Sequence, residues 1–211
     1  MACGDSLYKK EECICTYCRY HLPKTNFHLE ADNEVSKIFW GRADLLSAAA
    51  YYYFNKGSRV QNLLHQLKYK GQKEVGTFIG NLYGKELLES ALFNTVNMII
   101  PVPLHPKKKK RRGFNQSDYF AEGLSQGMGV EWSPEILIRA VANESQTKKS
   151  RFMRWQNVDS IFQVKQENQI AGKHVLLVDD VVTTGATLEA SAQSLLKIPG
   201  TKVSIVTIAC A

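Results

Sequence analysis

The stretch 175–187 combines acidic, hydroxyl-bearing and small residues whose types and spacing could bind a ligand. An apolar run ends in two adjacent carboxylates, Asp179 and Asp180, and a turn of small residues follows before a helical pattern. Ligands of α/β sheets bind where strands end, and the N-terminus of a helix favours an anion. The turn offers free backbone amides and three hydroxyls; its residues are Thr183, Thr184, Gly185, Ala186 and Thr187.

The turn and the carboxylates predict two different contacts. Gly185 permits close approach of the backbone to a phosphate monoester, and the threonine hydroxyls can donate to it. The carboxylates of Asp179 and Asp180 lie where the attached sugar would present vicinal hydroxyls, which carboxylates accept well. The alternative interpretation is a capped helix after a buried strand, with one aspartate as the cap.

Positive charge is concentrated in one part of the sequence. The formal net charge is +7, and residues 107–112 supply six consecutive cations, so the rest of the chain carries 7 − 6 = +1. A local cationic run indicates a phosphate-rich ligand or a nucleic-acid contact rather than a generally basic protein. A solvated flexible loop is the alternative.

Four of the five cysteines lie within the first eighteen residues: Cys3, Cys13, Cys15 and Cys18. Two thiolates at the spacing of Cys15 and Cys18 can hold one zinc ion from a tight turn. Cys3 resembles the end of a first zinc knuckle, whose leading cysteine would lie at or before the start of this sequence. Cys13 or His21 could substitute for that leading cysteine as a zinc ligand. Cysteines without metal are the alternative. Cys210 lies in an apolar stretch and is predicted to be core.

Composition excludes several classes of protein. The 211 residues are 44% hydrophobic and 22% charged, which rules out collagen-like, low-complexity and wholly disordered chains. No stretch approaches the roughly 20 apolar residues of a membrane helix. The N-terminus also lacks the apolar segment of a secretory signal. The sequence therefore predicts a cytoplasmic protein without membrane insertion.

Hydrophobic periodicity predicts strands that alternate with helices. The predicted strands are 45–54, 98–102, 136–141, 161–164, 175–179 and 202–209, and the predicted helices are 60–67, 75–83, 118–127 and 187–197. This order indicates βαβ units and a doubly wound α/β core, with a mostly parallel sheet and helices on both faces. Residues 30–44 are mixed and polar, which predicts a linker. We expect a cysteine-rich segment with its linker over 1–35 and the main domain over 36–211.

The stretch 175–187 closely resembles the phosphoribosyl pyrophosphate signature of type I phosphoribosyltransferases. Residues 99–106, 112–117 and 64–71, together with the cysteine-rich start, are similar to the ComF and GntX-like competence-associated branch. The resemblance covers nearly the whole chain and implies a type I phosphoribosyltransferase-like fold with a small zinc-knuckle segment. The chain departs from the family pattern in its first zinc knuckle, which is incomplete.

The resemblance also implies how phosphoribosyl pyrophosphate would be held, together with Mg²⁺. The loop at Pro103, Leu104 and His105 would bind pyrophosphate, with Lys107 and Arg112 as the preferred cationic contacts. Lys68 could reach the site from the helix before it, although a surface lysine is the more common fate. Residues 146–154 would form the catalytic loop, to which Lys148 and Arg151 belong; a disordered basic loop is the alternative.

Two functions of different classes follow. The first is a phosphoribosyltransferase that uses phosphoribosyl pyrophosphate on an unknown acceptor, because no acceptor pocket is recognisable in the sequence. The second is a noncatalytic DNA-uptake factor, whose site senses a phosphoribosyl ligand or a 5′-phosphate while the basic run binds single-stranded DNA. Other competence proteins would be its partners.

Overall fold

The computed structural model describes residues 1–9, 11–139 and 161–211. Two short 3-10 turns, Phe27–Leu29 and Glu167–Gln169, accompany the regular elements of this part of the chain. These elements are, in order, α1 (Thr16–His21), α2 (Glu34–Ile38), β1 (Ser47–Tyr53), α3 (Arg59–Tyr69), α4 (Glu74–Glu89), β2 (Met98–Pro101), α5 (Pro106–Arg112), α6 (Gln116–Met128), β3 (Leu137–Arg139), β4 (Phe162–Val164), β5 (His174–Val182), α7 (Ala186–Leu196) and β6 (Lys202–Cys210).

A parallel sheet forms the centre of the molecule, with the strand order β1-β6-β5-β2. Its two inner strands, β5 and β6, are almost entirely buried, which explains their continuous apolar sequences. A separate antiparallel ribbon pairs β3 with β4. The predicted α/β class with a mostly parallel sheet is confirmed.

Short irregular segments pair with both outer strands of this sheet. Beside β2, the amide of Ile99 donates to the carbonyl of Glu131 at 2.9 Å, and the amide of Ser133 donates to the carbonyl of Ile99 at 3.0 Å. Beside β1, the amide of Tyr53 donates to the carbonyl of Pro23 at 2.9 Å, and a second bond follows at Thr25. The outer strands therefore have backbone partners on both sides.

Helices α4 and α6 meet along a line of glycines, which we call the glycine seam: Gly76, Gly80, Gly84, Gly123 and Gly127. A Cβ atom at Gly123 would lie 2.1 Å from the carbonyl oxygen of Thr77, and one at Gly80 would lie 2.4 Å from that of Phe120. The two backbones thus touch directly. Helix α6 also packs against β2 and β5.

The segment predicted to be a linker is folded in its middle. It contains α2, whose Val35 buries its side chain fully, and Phe39 follows with 1% exposure. The Asn33 amide donates to the carbonyls of Phe27, Glu30 and Ala48 at 3.2, 2.7 and 2.8 Å. Its side-chain oxygen also caps the first turn of α2. Polar composition concealed these contacts, because one buried asparagine satisfies several backbone groups at once.

The basic run is not a loop, the alternative that the sequence left open, because Pro106–Arg112 forms a helix. Proline suits its first turn, and Gly113 ends it with φ of 84°. Among the residues described, no helix is long and apolar enough to cross a membrane. The part of the predicted strand 136–141 beyond Arg139 lies outside those residues.

Candidate functional site

Asp179 is the inner member of the carboxylate pair at the end of β5. Its Oδ1 accepts hydrogen bonds from the hydroxyl of Ser117 and from the amide of Asp180, both at 2.8 Å. Burial raises the pKa of Asp179 above its ordinary value, and the neighbouring charge of Asp180 raises it further. The two hydrogen bonds oppose this shift, so the fold holds the carboxylate in a fixed orientation at some electrostatic cost.

Asp180 has protein partners on both of its carboxylate oxygens. Lys68, near the end of α3, forms an ion pair with Oδ1 at 2.9 Å. Gln116, the first residue of α6, donates from Nε2 to Oδ2 at 3.1 Å. The Asp180 side chain is only 14% exposed. Lys68 therefore contacts the site, as the sequence predicted it could, and neutralises one of two adjacent negative charges.

The turn after β5 has the geometry expected of an anion site. Gly185 adopts φ of 74° and stands directly before α7, where no side chain from the described residues caps the first turn. Thr183, Thr184 and Thr187 are exposed, and with Asp179 they line a shallow depression. The turn thus leaves hydroxyls and the N-terminal end of an 11-residue helix accessible to a ligand.

Residues from the predicted linker support this turn from behind. A Cβ atom at Gly185 would lie 2.8 Å from Cγ2 of Ile38 and 2.9 Å from Cε1 of Phe39. The guanidinium of Arg42 donates to the carbonyls of Thr184 and Ile38, both at 2.9 Å. Arg42 also pairs with Glu189 of α7. Only glycine fits at position 185, since the backbone is left-handed and there is no room for a side chain.

A cavity of about 360 Å³ lies beside the carboxylate pair. It brings together elements from across the chain: the end of α3, the loop after β2, helix α5, the start of α6 and β3. Its lining residues are Lys68, Tyr69, Val102, Pro103, Leu104, His105, Lys108, Arg112, Asn115, Gln116, Ser117, Arg139, Asp179, Asp180 and Thr187. Most of the predicted substrate contacts therefore surround one space.

Helix α5 turns only part of the basic run toward this cavity. Lys108 and Arg112, four residues apart on one helix face, line it, whereas Lys107 does not. The Arg112 guanidinium lies 5.5 Å from the ring centre of Tyr69. Its Nη1 is shielded from solvent and has no hydrogen-bond partner among the described residues. The contact from Lys107 stays a prediction, and Lys108 is a cavity-lining cation that the sequence did not single out.

Comparison with known proteins places this geometry in a family. Residues 116–211 match the phosphoribosyl transferase domain. The DNA utilization protein YhgH of Escherichia coli K12 is 32% identical over 193 residues, covering 90% of this chain and 80% of that protein. The chain belongs to the ComF-like family. Competence protein ComFC of Bacillus subtilis is 29% identical over 208 residues, covering 90% of this ComF-like chain and 81% of the relative.

Two solved structures are also similar. Glutamine phosphoribosylpyrophosphate amidotransferase from Bacillus subtilis has a TM-score of 0.47 at 20% identity, covering 67% of this chain and 30% of that one. Adenine phosphoribosyltransferase from Saccharomyces cerevisiae has a TM-score of 0.40 at 18% identity, covering 67% and 69%. The domain match and the parallel sheet give this ComF-like chain the type I phosphoribosyltransferase fold.

Sequence reasoning missed several residues around the cavity of this ComF-like protein: Tyr69, Lys108, Asn115, Gln116, Ser117 and Arg139. Gln116 and Ser117 stand inside the family motif 112–117, so their polar side chains directly after a glycine turn were a usable signal. Arg139 carried no signal of its own. Lys148 and Arg151, predicted to be catalytic, lie outside the described residues.

Three of the four predicted metal ligands come together near the N-terminus. The Sγ atoms of Cys3, Cys15 and Cys18 all lie within 4.8 Å of one another, a donor set that is compatible with zinc. Cys13 does not join them: it is 3% exposed, its Sγ contacts the Met1 sulfur at 4.0 Å, and burial raises its pKa to about 12. His21 instead contacts the carbonyl of Tyr17 at 2.8 Å.

Proposed function

We propose that the cavity binds phosphoribosyl pyrophosphate with Mg²⁺, and that the protein transfers the phosphoribosyl group to an acceptor. One observation carries this proposal: a carboxylate pair and cationic side chains border one cavity, and the anion-binding turn lines a neighbouring depression that shares Asp179 and Thr187 with it. A sugar that bears a phosphate at one end and a pyrophosphate at the other needs these three kinds of contact.

Each part of the ligand has a matching group. The turn at 183–187 would hold the 5-phosphate, and the carboxylates would accept from the sugar hydroxyls. Arg112 and Lys108 would bind the pyrophosphate, together with the loop at 103–105. The unpartnered Nη1 of Arg112 supports this assignment, because a buried guanidinium donor is expected to have an acceptor.

Lys68 would have to leave Asp180 when the sugar binds, since hydroxyls and the ammonium group compete for the same oxygen. Its flexible stem allows the ammonium to turn from the carboxylate toward an anionic oxygen. In the ligand-free protein Lys68 would therefore serve as a counter-ion to the Asp180 carboxylate. When the ligand binds, the Lys68 ammonium would leave the Asp180 carboxylate and pair with an anionic oxygen of the ligand.

The reaction places little covalent chemistry on the protein. As pyrophosphate departs, the anomeric carbon becomes oxocarbenium-like, so catalysis consists of holding the sugar and stabilising the leaving group. Arg112 is positioned for the second task, and we propose that Lys148 and Arg151 assist it. Bound Mg²⁺ would neutralise charge on the pyrophosphate oxygens. Asp180 offers hard oxygen atoms of the kind that Mg²⁺ prefers.

Binding is tested by thermal unfolding. A ligand present at about 100 times its dissociation constant stabilises the native state by about 2.7 kcal/mol, so Mg²⁺ with phosphoribosyl pyrophosphate should raise the Tm. Asp180→Ala, Thr184→Val and Arg112→Ala should each remove most of that shift while remaining folded. Lys107→Ala is the matched control, because Lys107 is on the same helix as Arg112 but away from the cavity.

A wild-type protein whose Tm does not move at millimolar ligand would refute the proposal. Transfer is measured separately, as pyrophosphate released from phosphoribosyl pyrophosphate across candidate acceptors that include nucleobases and DNA ends. Tight binding without release in the presence of any acceptor would favour the noncatalytic function.

The second candidate function, a DNA-uptake factor, is favoured by the outer face of α5. Lys107, Lys110 and Arg111 are exposed and do not line the cavity. One small ligand cannot engage them together with Lys108 and Arg112. The names of the relatives refer to DNA utilization and competence, which is consistent with a polyanion on this face.

We also propose that the cysteine cluster binds a single structural zinc ion. Cys18→Ser should lower zinc content from about one per chain to near zero, since three thiolates supply most of the coordination. Cys13→Ser is the matched control and should keep its zinc, because Cys13 packs against Met1 instead. Elemental analysis of freshly purified protein decides the matter. Equal zinc loss in both variants would contradict the three-cysteine assignment.

A further inference from the structure

Among the described residues, the amide nitrogen of the Gln116 side chain has a hydrogen-bond partner and its amide oxygen has none. Gln116 is 2% exposed and lines the cavity, and its Nε2 donates to Asp180. Its Oε1 is shielded from solvent and has no hydrogen-bond partner among the residues that the structure describes. A buried amide oxygen without a donor destabilises the native state, and native proteins rarely retain one without a reason.

The chemistry of Gln116 and Asp180 limits what the hydrogen-bond partner of Oε1 can be. Asp180, which Gln116 contacts, is an acceptor when ionised, so the absent partner must bring its own hydrogen. A sugar with vicinal hydroxyls supplies two donors on adjacent carbons. One can donate to Asp180 and the other to Gln116. The terminal side-chain torsion of glutamine, χ3, has a broad distribution, so a small rotation of the amide can present Oε1 to the cavity.

We propose that Gln116 accepts a hydrogen bond from one sugar hydroxyl and thereby makes the cavity select a ribose over a deoxyribose. This inference rests on the proposed phosphoribosyl site and adds a specificity-determining residue to it. A deoxy sugar would leave Oε1 unpaired. Sites built to hydrogen-bond a hydroxyl reject analogues that lack it far more strongly than apolar pockets reject a missing methylene.

The selection also bears on the choice between the two candidate functions. The terminal sugar of a DNA 5′-end carries a phosphate but has neither hydroxyl of the vicinal pair free, because it lacks the 2′-hydroxyl and its 3′-oxygen is esterified to the next nucleotide. A cavity that requires both hydroxyls would discriminate against that end. Any DNA contact would then be made by the outer face of α5 rather than by the cavity.

The experiment compares three small ligands: ribose 5-phosphate, 2-deoxyribose 5-phosphate and 3-deoxyribose 5-phosphate, each titrated calorimetrically with Mg²⁺ present. The wild type should prefer ribose 5-phosphate over at least one deoxy analogue by about tenfold or more. Gln116→Met should reduce that preference to about twofold by weakening ribose binding alone. Gln126→Met, on the same helix beside a separate cavity, is the matched control and should keep the full preference.

Three results would overturn the inference. If Gln116→Met keeps the wild-type preference, the role of Gln116 fails while the phosphoribosyl site stands. If the wild type binds all three sugars equally, selection by the cavity fails. If it binds none of them and does not bind phosphoribosyl pyrophosphate, the proposed function fails as well. Should Gln116→Met not fold, Gln116→Asn withdraws the amide from the cavity wall and should lose the preference too.

Discussion

Gly123→Ala should destabilise the protein by about 3 kcal/mol, the upper part of the usual range for overpacking a helix interface. The new Cβ would stand 2.1 Å from the carbonyl oxygen of Thr77, which is backbone and cannot move independently of α4. Helices α4 and α6 would have to separate along the glycine seam. Alanine has the better helix propensity by about 1 kcal/mol, which offsets only part of the loss.

Urea unfolding measures this effect, and the seam supplies its own control. Gly76 stands on α4, where the nearest atom to a new Cβ is the Cβ of Tyr119 at 3.0 Å. Gly76→Ala should therefore cost clearly less than Gly123→Ala. Equal destabilisation by the two substitutions would show that the close backbone approach is not the cause.

Replacing the outward cations of α5 should separate the two candidate functions. Lys107, Lys110 and Arg111 changed together to alanine should flatten the slope of log affinity for single-stranded DNA against log salt by about 2 units, since each neutralised phosphate contributes about 0.7. Stabilisation by phosphoribosyl pyrophosphate should persist. Changing Lys108 and Arg112 to alanine should largely abolish that stabilisation, because both line the cavity.

Fluorescence anisotropy of a labelled oligonucleotide across a salt series gives the slope. The triple variant removes one more cation than the double variant, which by itself accounts for a difference in slope of about 0.7. If the triple variant loses more slope than this difference allows, the position of the cations and not only their number determines DNA binding. An unchanged slope in the triple variant would mean that the outer face of α5 is merely solvated. The nucleic-acid function would then lose its main physical support.

The parts of the site that are contiguous in sequence could be predicted. The carboxylate pair, the turn and the helix after it follow one another along 175–196, so the strand pattern alone places them at one edge of the sheet. The groups that hold them come from distant segments. Ser117 and Gln116 reach the pair from α6, and Ile38 and Phe39 support Gly185. Such contacts depend on packing that local periodicity does not encode.

Three features that the sequence did not reveal share a physical cause, namely that residue type alone does not give the direction of a side chain. A run of six cations has no amphipathic pattern, so Lys107 could not be distinguished from Lys108 as the residue that faces the cavity. Cys13 has the same side chain as the clustered cysteines but packs in the core. The polar segment 30–44 conceals Val35 and Phe39, whose burial is visible only in the fold.

The pairing of both outer strands with irregular segments has a consequence for handling the protein. Pro23 and Thr25 occupy backbone groups of β1 that would otherwise be exposed, and the strand is rich in tyrosine. An unpaired, flat and apolar outer strand is a template for strand exchange between molecules. A version of the chain that begins after residue 35 would expose that strand. Residues 23–25 thus protect β1 from pairing with another molecule.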